Sequence, residues 1–180
     1  HRQADFSDLL KMADEIEGIQ RIRYMTSHPK DLSHKLIETV RDSRHICEHF
    51  HIPVQYGNDR ILQAMNRGYT IERYRSLVQE IRETLPAASI TTDLIVGFPG
   101  EQEEDFVALL DFVKEIRYDA AYTFLYSKRS GTPAATMEEQ VEASVKKERL
   151  HRLMEVQNRI SLEKNRELQN SVQEVLVEGP

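Results

Sequence analysis

Between Thr91 and Phe106 the chain reads TTDLIVGFPGEQEEDF, an apolar strand that breaks into a glycine and proline turn and reopens as an acidic amphipathic helix. Thr91, Asp93 and Ile95 alternate with Thr92, Leu94 and Val96, so a strand here sets Asp93 on the face opposite Leu94 and Val96. Gly97 and Gly100 permit backbone shapes that other residues resist, and Pro99 fixes its own φ. A turn of this kind at the carboxyl end of a strand serves either as a ligand site or as plain structure. Its glycines lack the lysine and hydroxyl of a nucleotide P-loop and the spacing of the dinucleotide fingerprint, yet backbone amides there suit an adenine or a carboxylate.

The same switch of period recurs along the chain. Helices are expected over Phe6 to Glu17, Leu32 to Arg41, Asp59 to Met65, Ile71 to Leu85 and Glu103 to Ile116. Strands are expected over Arg21 to Thr26, His49 to Val54, Ile90 to Val96 and Ala120 to Tyr126. Strand and helix in alternation call for parallel strands covered by helices, in a barrel or an open doubly wound sheet, so the fold class is α/β. From Met137 to Asn170 a long charged helix follows, with Leu150, Leu153, Met154, Gln157 and Ile160 as a narrow stripe that packs along the outside of the sheet. SVQEVLVEGP, Ser171 to Pro180, returns to alternation and reads as the first strand of something further.

Composition closes off several classes. At 180 residues, 39% hydrophobic and 30% charged, the chain is an ordinary globular one with a single sizeable core. No apolar run approaches the roughly 20 residues of a membrane helix. A single cysteine, Cys47, excludes an internal disulfide and points to a reducing compartment, the cytoplasm. The net charge of −6 gives no overall basic footprint for nucleic acid, though a local basic face is compatible with it.

The strand faces carry the functional reading. Phe50, Ile52 and Val54 share one face, while His49, His51, Pro53 and Gln55 share the other; Ile22 and Tyr24 likewise oppose Arg21, Arg23 and Met25. Two arginines, two histidines, a glutamine and Asp93 are then candidates for one wet interior, since an inert barrel is filled with branched apolar side chains. His45, Cys47, His49 and His51 share parity, but ligands from one continuous strand form a row rather than a tetrahedron, so no metal site is assigned.

HIPVQYGNDRILQAMNRGYT, TTDLIVGFPGEQEEDF and FLYSKRSGTPAA together resemble the radical S-adenosylmethionine methylthiotransferases. TSHPKDL, Thr26 to Leu32, and YSKRSGTPAA, Tyr126 to Ala135, are most similar to the members that act on tRNA. The resemblance runs from about Asp5 to the end of the chain. It implies a partial TIM-like (β/α)6 barrel, of which residues 1–170 hold roughly the last four strand-helix units, and a carboxyl-terminal RNA-binding, TRAM-like domain that 171–180 begin. Such enzymes use S-adenosylmethionine and two 4Fe-4S clusters to place a methylthio group on carbon 2 of N6-isopentenyladenosine beside the anticodon. The cysteine motif CxxxCxxC is absent here, so the chain is expected to be a fragment, inactive by itself and at best a weak binder of S-adenosylmethionine.

By that resemblance Gln55, Arg67, Asp93, the turn Gly97, Phe98 and Pro99, and Ser27 are cofactor-binding positions. Their chemistry agrees, because an arginine fork suits the methionyl carboxylate and an aspartate accepts from ribose hydroxyls or the amino group. His28, Tyr126, Ser127 and Arg129 are substrate positions. Tyr56 stands where the family commonly has serine, and its bulk is expected to narrow the pocket or stack on the cofactor. The implied partners are tRNA and a reductant such as flavodoxin or ferredoxin, with no membrane and a monomeric state. Methylthiolation of threonylcarbamoyladenosine in tRNA or of a ribosomal protein, and a non-catalytic nucleotide-binding module, are the alternatives left open.

Overall fold

In the computed structural model, residues 4–25, 28–177 and 179 are described. The order is α1 (Phe6–Asp14), α2 (His34–Asp42), β1 (His49–His51), α3 (Asp59–Ala64), α4 (Ile71–Thr84), β2 (Ser89–Val96), α5 (Glu103–Ile116), β3 (Ala120–Leu125), α6 (Pro133–Thr136) and α7 (Ala143–Glu167). The three strands form one parallel sheet in the order β1-β2-β3. Each crossover carries a helix, the connection that parallel pairing requires.

The outer face of this sheet is dry. Ile90, Thr92, Leu94 and Val96 of β2 are buried beneath Tyr74, Leu77, Val78 and Ile81 of α4 and Phe106, Leu109, Phe112 and Val113 of α5. The alternate residues of β2 are only part-buried and face the concave side. That division is the alternation of the sequence made physical. Among the described residues no helix is long and apolar enough to cross a membrane.

Three sequence expectations are corrected. Arg21 to Thr26 is not a strand: Ile22 alone bridges Ile46, through Ile22 N–H to His45 O at 2.7 Å and Cys47 N–H to Ile22 O at 2.9 Å. Immediately afterwards His49 N–H turns back onto Cys47 O at 2.8 Å, which removes the donor a longer ladder would need. Arg21 pairs with Glu174 at 2.7 Å and Arg23 is exposed, so neither joins the cavity. Thr26 lies outside the described residues. Second, α7 begins at Ala143 rather than Met137, and its buried stripe is Arg149, Leu153, Gln157 and Ile160, with Met154 exposed. It lies against β3 and α5, where Gln157 donates to Tyr118 O at 3.0 Å. Third, α2 begins at His34 rather than Leu32, capped by Ser33, which accepts from Leu36 N–H at 3.2 Å.

β1 is shorter than the expected His49 to Val54 because Pro53 has no N–H to give. Pairing nevertheless continues in another form. Ile52 N–H reaches Thr91 O at 2.8 Å, and Gln55 bridges Leu94. Between them the fully buried Thr92 hydroxyl accepts from Val54 N–H at 3.0 Å and donates to Ile52 O at 2.8 Å. The side chain replaces a missing rung. Thr92→Val is therefore expected to cost about 1–3 kcal/mol in urea denaturation, the penalty of a buried N–H left without an acceptor, although valine is a good strand former.

Residues 171–177 form no strand, and Val172, Val175, Leu176 and Val177 are exposed.

Candidate functional site

A cavity of about 650 Å³ opens at the carboxyl end of the sheet on its concave side. Seven of the residues singled out from the sequence line it: Gln55, Arg67, Asp93, Phe98, Tyr126, Ser127 and Arg129. Each arrives there for a local reason.

Gln55 has φ 71°, a left-handed conformation that glutamine rarely takes. Both its backbone groups are held by β2, its N–H by Asp93 O and its carbonyl by Ile95 N–H, each at 2.9 Å. Over-determination of this kind keeps an unfavourable backbone in place, and such residues cluster where a side chain must be aimed. Asp93 projects from the polar face of β2, opposite Tyr122 in the register with β3.

Arg67 follows α3. Asn66 N–H bonds Gln63 O at 2.9 Å and Arg67 N–H bonds Leu62 O at 3.0 Å, a Schellman ending with Asn66 left-handed at φ 55°. The guanidinium is thrown into the cavity, 5.9 Å from the centroid of the Tyr69 ring. It makes no ion pair among the described residues, and its Nε is buried without a hydrogen-bond partner. An arginine fork left open inside a cavity is an anion site in waiting.

The turn after β2 presents a side chain to the cavity and turns its glycines elsewhere. Glu101 N–H bonds Phe98 O at 3.0 Å, with Pro99 second and Gly100 third at φ 80°, the requirement of a type II turn. The Gly100 amide donates to Glu139 O and the Gly97 amide to Glu101 Oε2, both at 2.7 Å. These two amides are thus already engaged, which corrects the expectation that the glycine backbone floors the pocket; Pro99 has no amide and does not line the cavity. Only Phe98 reaches it, edge-on to Tyr126 at 5.3 Å. Gly97 itself, at φ 76°, leaves room for the Lys146 side chain of α7, whose Cγ takes the space where a Cβ would stand. Lys146 runs on to sit 5.1 Å over the Tyr126 ring.

What pins this turn is a buried ion pair that sequence reading missed. Glu101, in the core, accepts from Arg149 Nη1 at 2.8 Å, and the arginine itself is 5% exposed. Burial pushes the Glu101 carboxyl above its ordinary range, against the downward pull of the Gly97 amide and the Arg149 charge. The two residues are 48 apart in sequence, so no local pattern joins them.

His28 lies beside the cavity and does not line it. Its ring meets Tyr69 edge-on at 5.3 Å, and burial, then the nearby Arg67 charge, lowers its pKa. Ser27 lies outside the described residues. Tyr56 is fully buried in the core beside Glu101, so it neither narrows the cavity nor reaches a ligand, contrary to expectation. The apolar wall residues Met65, Ile95, Phe124 and Leu125 are not among the site positions the sequence suggests, although Ile95 shares the parity of Asp93 and that signal was available. His45 is taken by Asp14 at 3.0 Å, and Cys47 is part-buried.

The chain matches the radical SAM superfamily over residues 2–113. It is 57% identical over 174 residues to the tRNA-2-methylthio-N(6)-dimethylallyladenosine synthase of Natranaerobius thermophilus, covering 97% of this chain and 39% of that protein. The synthase of the same name from Pelotomaculum thermopropionicum is 56% identical over 177 residues, 98% of this chain and 40% of its own. The chain thus spans about two-fifths of the length of these curated relatives. Among solved structures, the coproporphyrinogen III oxidase of Escherichia coli, described as a radical SAM enzyme, superposes with TM-score 0.64 at 20% identity, over 78% of this chain and 32% of that one. That likeness speaks to fold alone.

Proposed function

This chain belongs to the radical SAM superfamily, and on that premise we propose that it is the cofactor-binding part of a tRNA methylthiotransferase that modifies carbon 2 of N6-isopentenyladenosine next to the anticodon. The unpaired Arg67 guanidinium, in one cavity with Gln55 and Asp93, is the observation that carries the reading. The names of the relatives, which cover the same blocks of sequence, support the substrate.

The residues present fit S-adenosylmethionine. Arg67 grips the methionyl carboxylate through its planar fork. Asp93 accepts from a ribose hydroxyl or the amino group, and the Gln55 amide both donates and accepts. Ile95, Phe98 and Leu125 exclude water around the adenine, which strengthens each polar contact. When bound, the cofactor supplies the transferred methyl group and, after reductive cleavage, hydrogen abstraction from the target base. Tyr126, Ser127 and Arg129 at the cavity mouth take the substrate side, with Arg129 placed for an RNA phosphate.

The residues do not fit an iron-sulfur cluster, which takes thiolate ligands where this chain has only Cys47. No chemistry is assigned through a cluster on these residues. The proposal extends to a cytoplasmic monomer that receives electrons from a flavodoxin or ferredoxin, with a TRAM-like RNA-binding domain starting at 171–180.

Two measurements test this. Titrating the chain with S-adenosylmethionine and following amide NMR shifts is expected to move Gln55, Asp93 and Ile95; silence at all three would remove the cofactor assignment. Deleting the encoding gene in its host is expected to abolish methylthio-isopentenyladenosine in tRNA. Loss of the threonylcarbamoyladenosine derivative or of a modified ribosomal protein instead would reassign the substrate.

A further inference from the structure

Behind Asp93, on the same face of the sheet, runs a line of polar side chains that no ligand contact above employs. The Thr91 hydroxyl is 3.0 Å from His49 Nε2 and 3.0 Å from His51 Nδ1. The opposite nitrogen of His51, Nε2, faces Asp93 Oδ1 at 3.4 Å. Register produces the arrangement: His51 pairs with Thr91 across β1 and β2, and Asp93 follows two residues later on the same side. His51 is 7% exposed, and its ring lies edge-on to Tyr122 at 5.8 Å. A ring so buried must satisfy both nitrogens within the protein.

Donor and acceptor rules give this line one direction. A carboxylate only accepts, so the proton between His51 and Asp93 sits on Nε2, and a ring that carries that proton alone leaves Nδ1 to accept. The Thr91 hydroxyl must then donate to His51 Nδ1, and its oxygen accepts from His49 Nε2–H. Burial, followed by the positive charge of Arg23, lowers the His49 pKa and favours the neutral ring that this order needs.

We propose that His51 and Thr91 are positioning residues for Asp93: they fix its Oδ1 from behind and leave Oδ2 to accept from the ribose or amino group of bound S-adenosylmethionine. The inference rests on the reading that this cavity binds that ligand. The separation of 3.4 Å is a polar approach rather than a formed hydrogen bond, and the proposal has it close to hydrogen-bond length in the complex.

The test uses the chain with 15N-labelled histidine. Without ligand, His49 and His51 are both expected as Nε2–H tautomers. Thr91→Val keeps size and strand preference but removes the hydroxyl, so His51 Nδ1 loses its donor and its 15N shift moves to that of an unbonded ring nitrogen, and S-adenosylmethionine affinity falls about tenfold, the scale of one lost hydrogen bond. Thr91→Ser restores both. A proton found on His51 Nδ1, or equal affinity for Thr91→Val and Thr91→Ser, overturns the proposal. Arg67→Ala separates the two levels of inference, since it leaves the tautomers as they are. Wild-type affinity in Thr91→Val alone sinks only the positioning role, whereas wild-type affinity in both variants sinks the ligand reading with it.

Discussion

Arg67→Ala is expected to weaken S-adenosylmethionine binding about 100-fold, from the loss of a charge-assisted contact worth about 1.5–3 kcal/mol, while hardly moving the melting temperature. The two halves of that expectation have different causes. The guanidinium makes no ion pair among the described residues, and its one ring contact, with Tyr69, is at 5.9 Å, so the fold loses little when it goes. A ligand carboxylate loses both arms of a planar fork. Arg67→Lys should recover only a fraction, because an ammonium delivers charge without the paired geometry. In an NMR titration the alanine variant should fail to saturate where the wild-type chain does. Unchanged saturation would show that the open fork is incidental, and a large fall in melting temperature would show that it is structural.

Glu101→Ala is expected to be a damaging change outside the apolar core, at up to about 5 kcal/mol in urea denaturation, because the buried Arg149 charge loses its 2.8 Å partner and keeps only the half-exposed Glu103 carboxylate at 3.2 Å. The carboxylate has two tasks, accepting from Arg149 at 2.8 Å and from the Gly97 amide at 2.7 Å. Those tasks predict an unusual order among variants. Replacing both residues, as Glu101→Leu with Arg149→Leu, removes the under-compensated charge and should be milder than Glu101→Ala. It should still cost about 1–3 kcal/mol, since the Gly97 N–H keeps no acceptor. Strict additivity of the two single changes would refute the coupling. The consequence for the site is direct, because the turn this pair holds carries Phe98 into the cavity and lets Lys146 pass behind Gly97.

Helices α3 and α4 were legible because each carries its own cap and period. Thr70 caps α4 through Arg73 N–H, and Asn58 caps α3 through Ile61 N–H, both visible as local residue choices. β2 was legible for the same reason, its alternation being unbroken from Ser89 to Val96. The segment Arg21 to Thr26 was not. Strand character there depended on a neighbour whose donor the turn at His49 had already used, and that is a fact about two segments at once. Tyr56 shows the same limit at the site. The sequence places it next to Gln55, but the left-handed backbone at Gln55 sends consecutive side chains into the cavity and into the core.

What the sequence determined by itself is the set of chemical groups: an arginine after a short helix, a carboxylate on the polar face of a strand, a glutamine two residues past a proline-broken one. Their parity and caps are local, so the chain alone specifies them. What only the tertiary structure decided is which groups are left free. Gly97 and Gly100 offered amides on paper, and Glu101 and Glu139 took them; Arg67 follows a helix end, where cations commonly sit, and makes no ion pair among the described residues. Whether a polar group binds a ligand depends on whether the fold has already satisfied it, and that satisfaction comes from residues distant in sequence, as with Glu101 and Arg149.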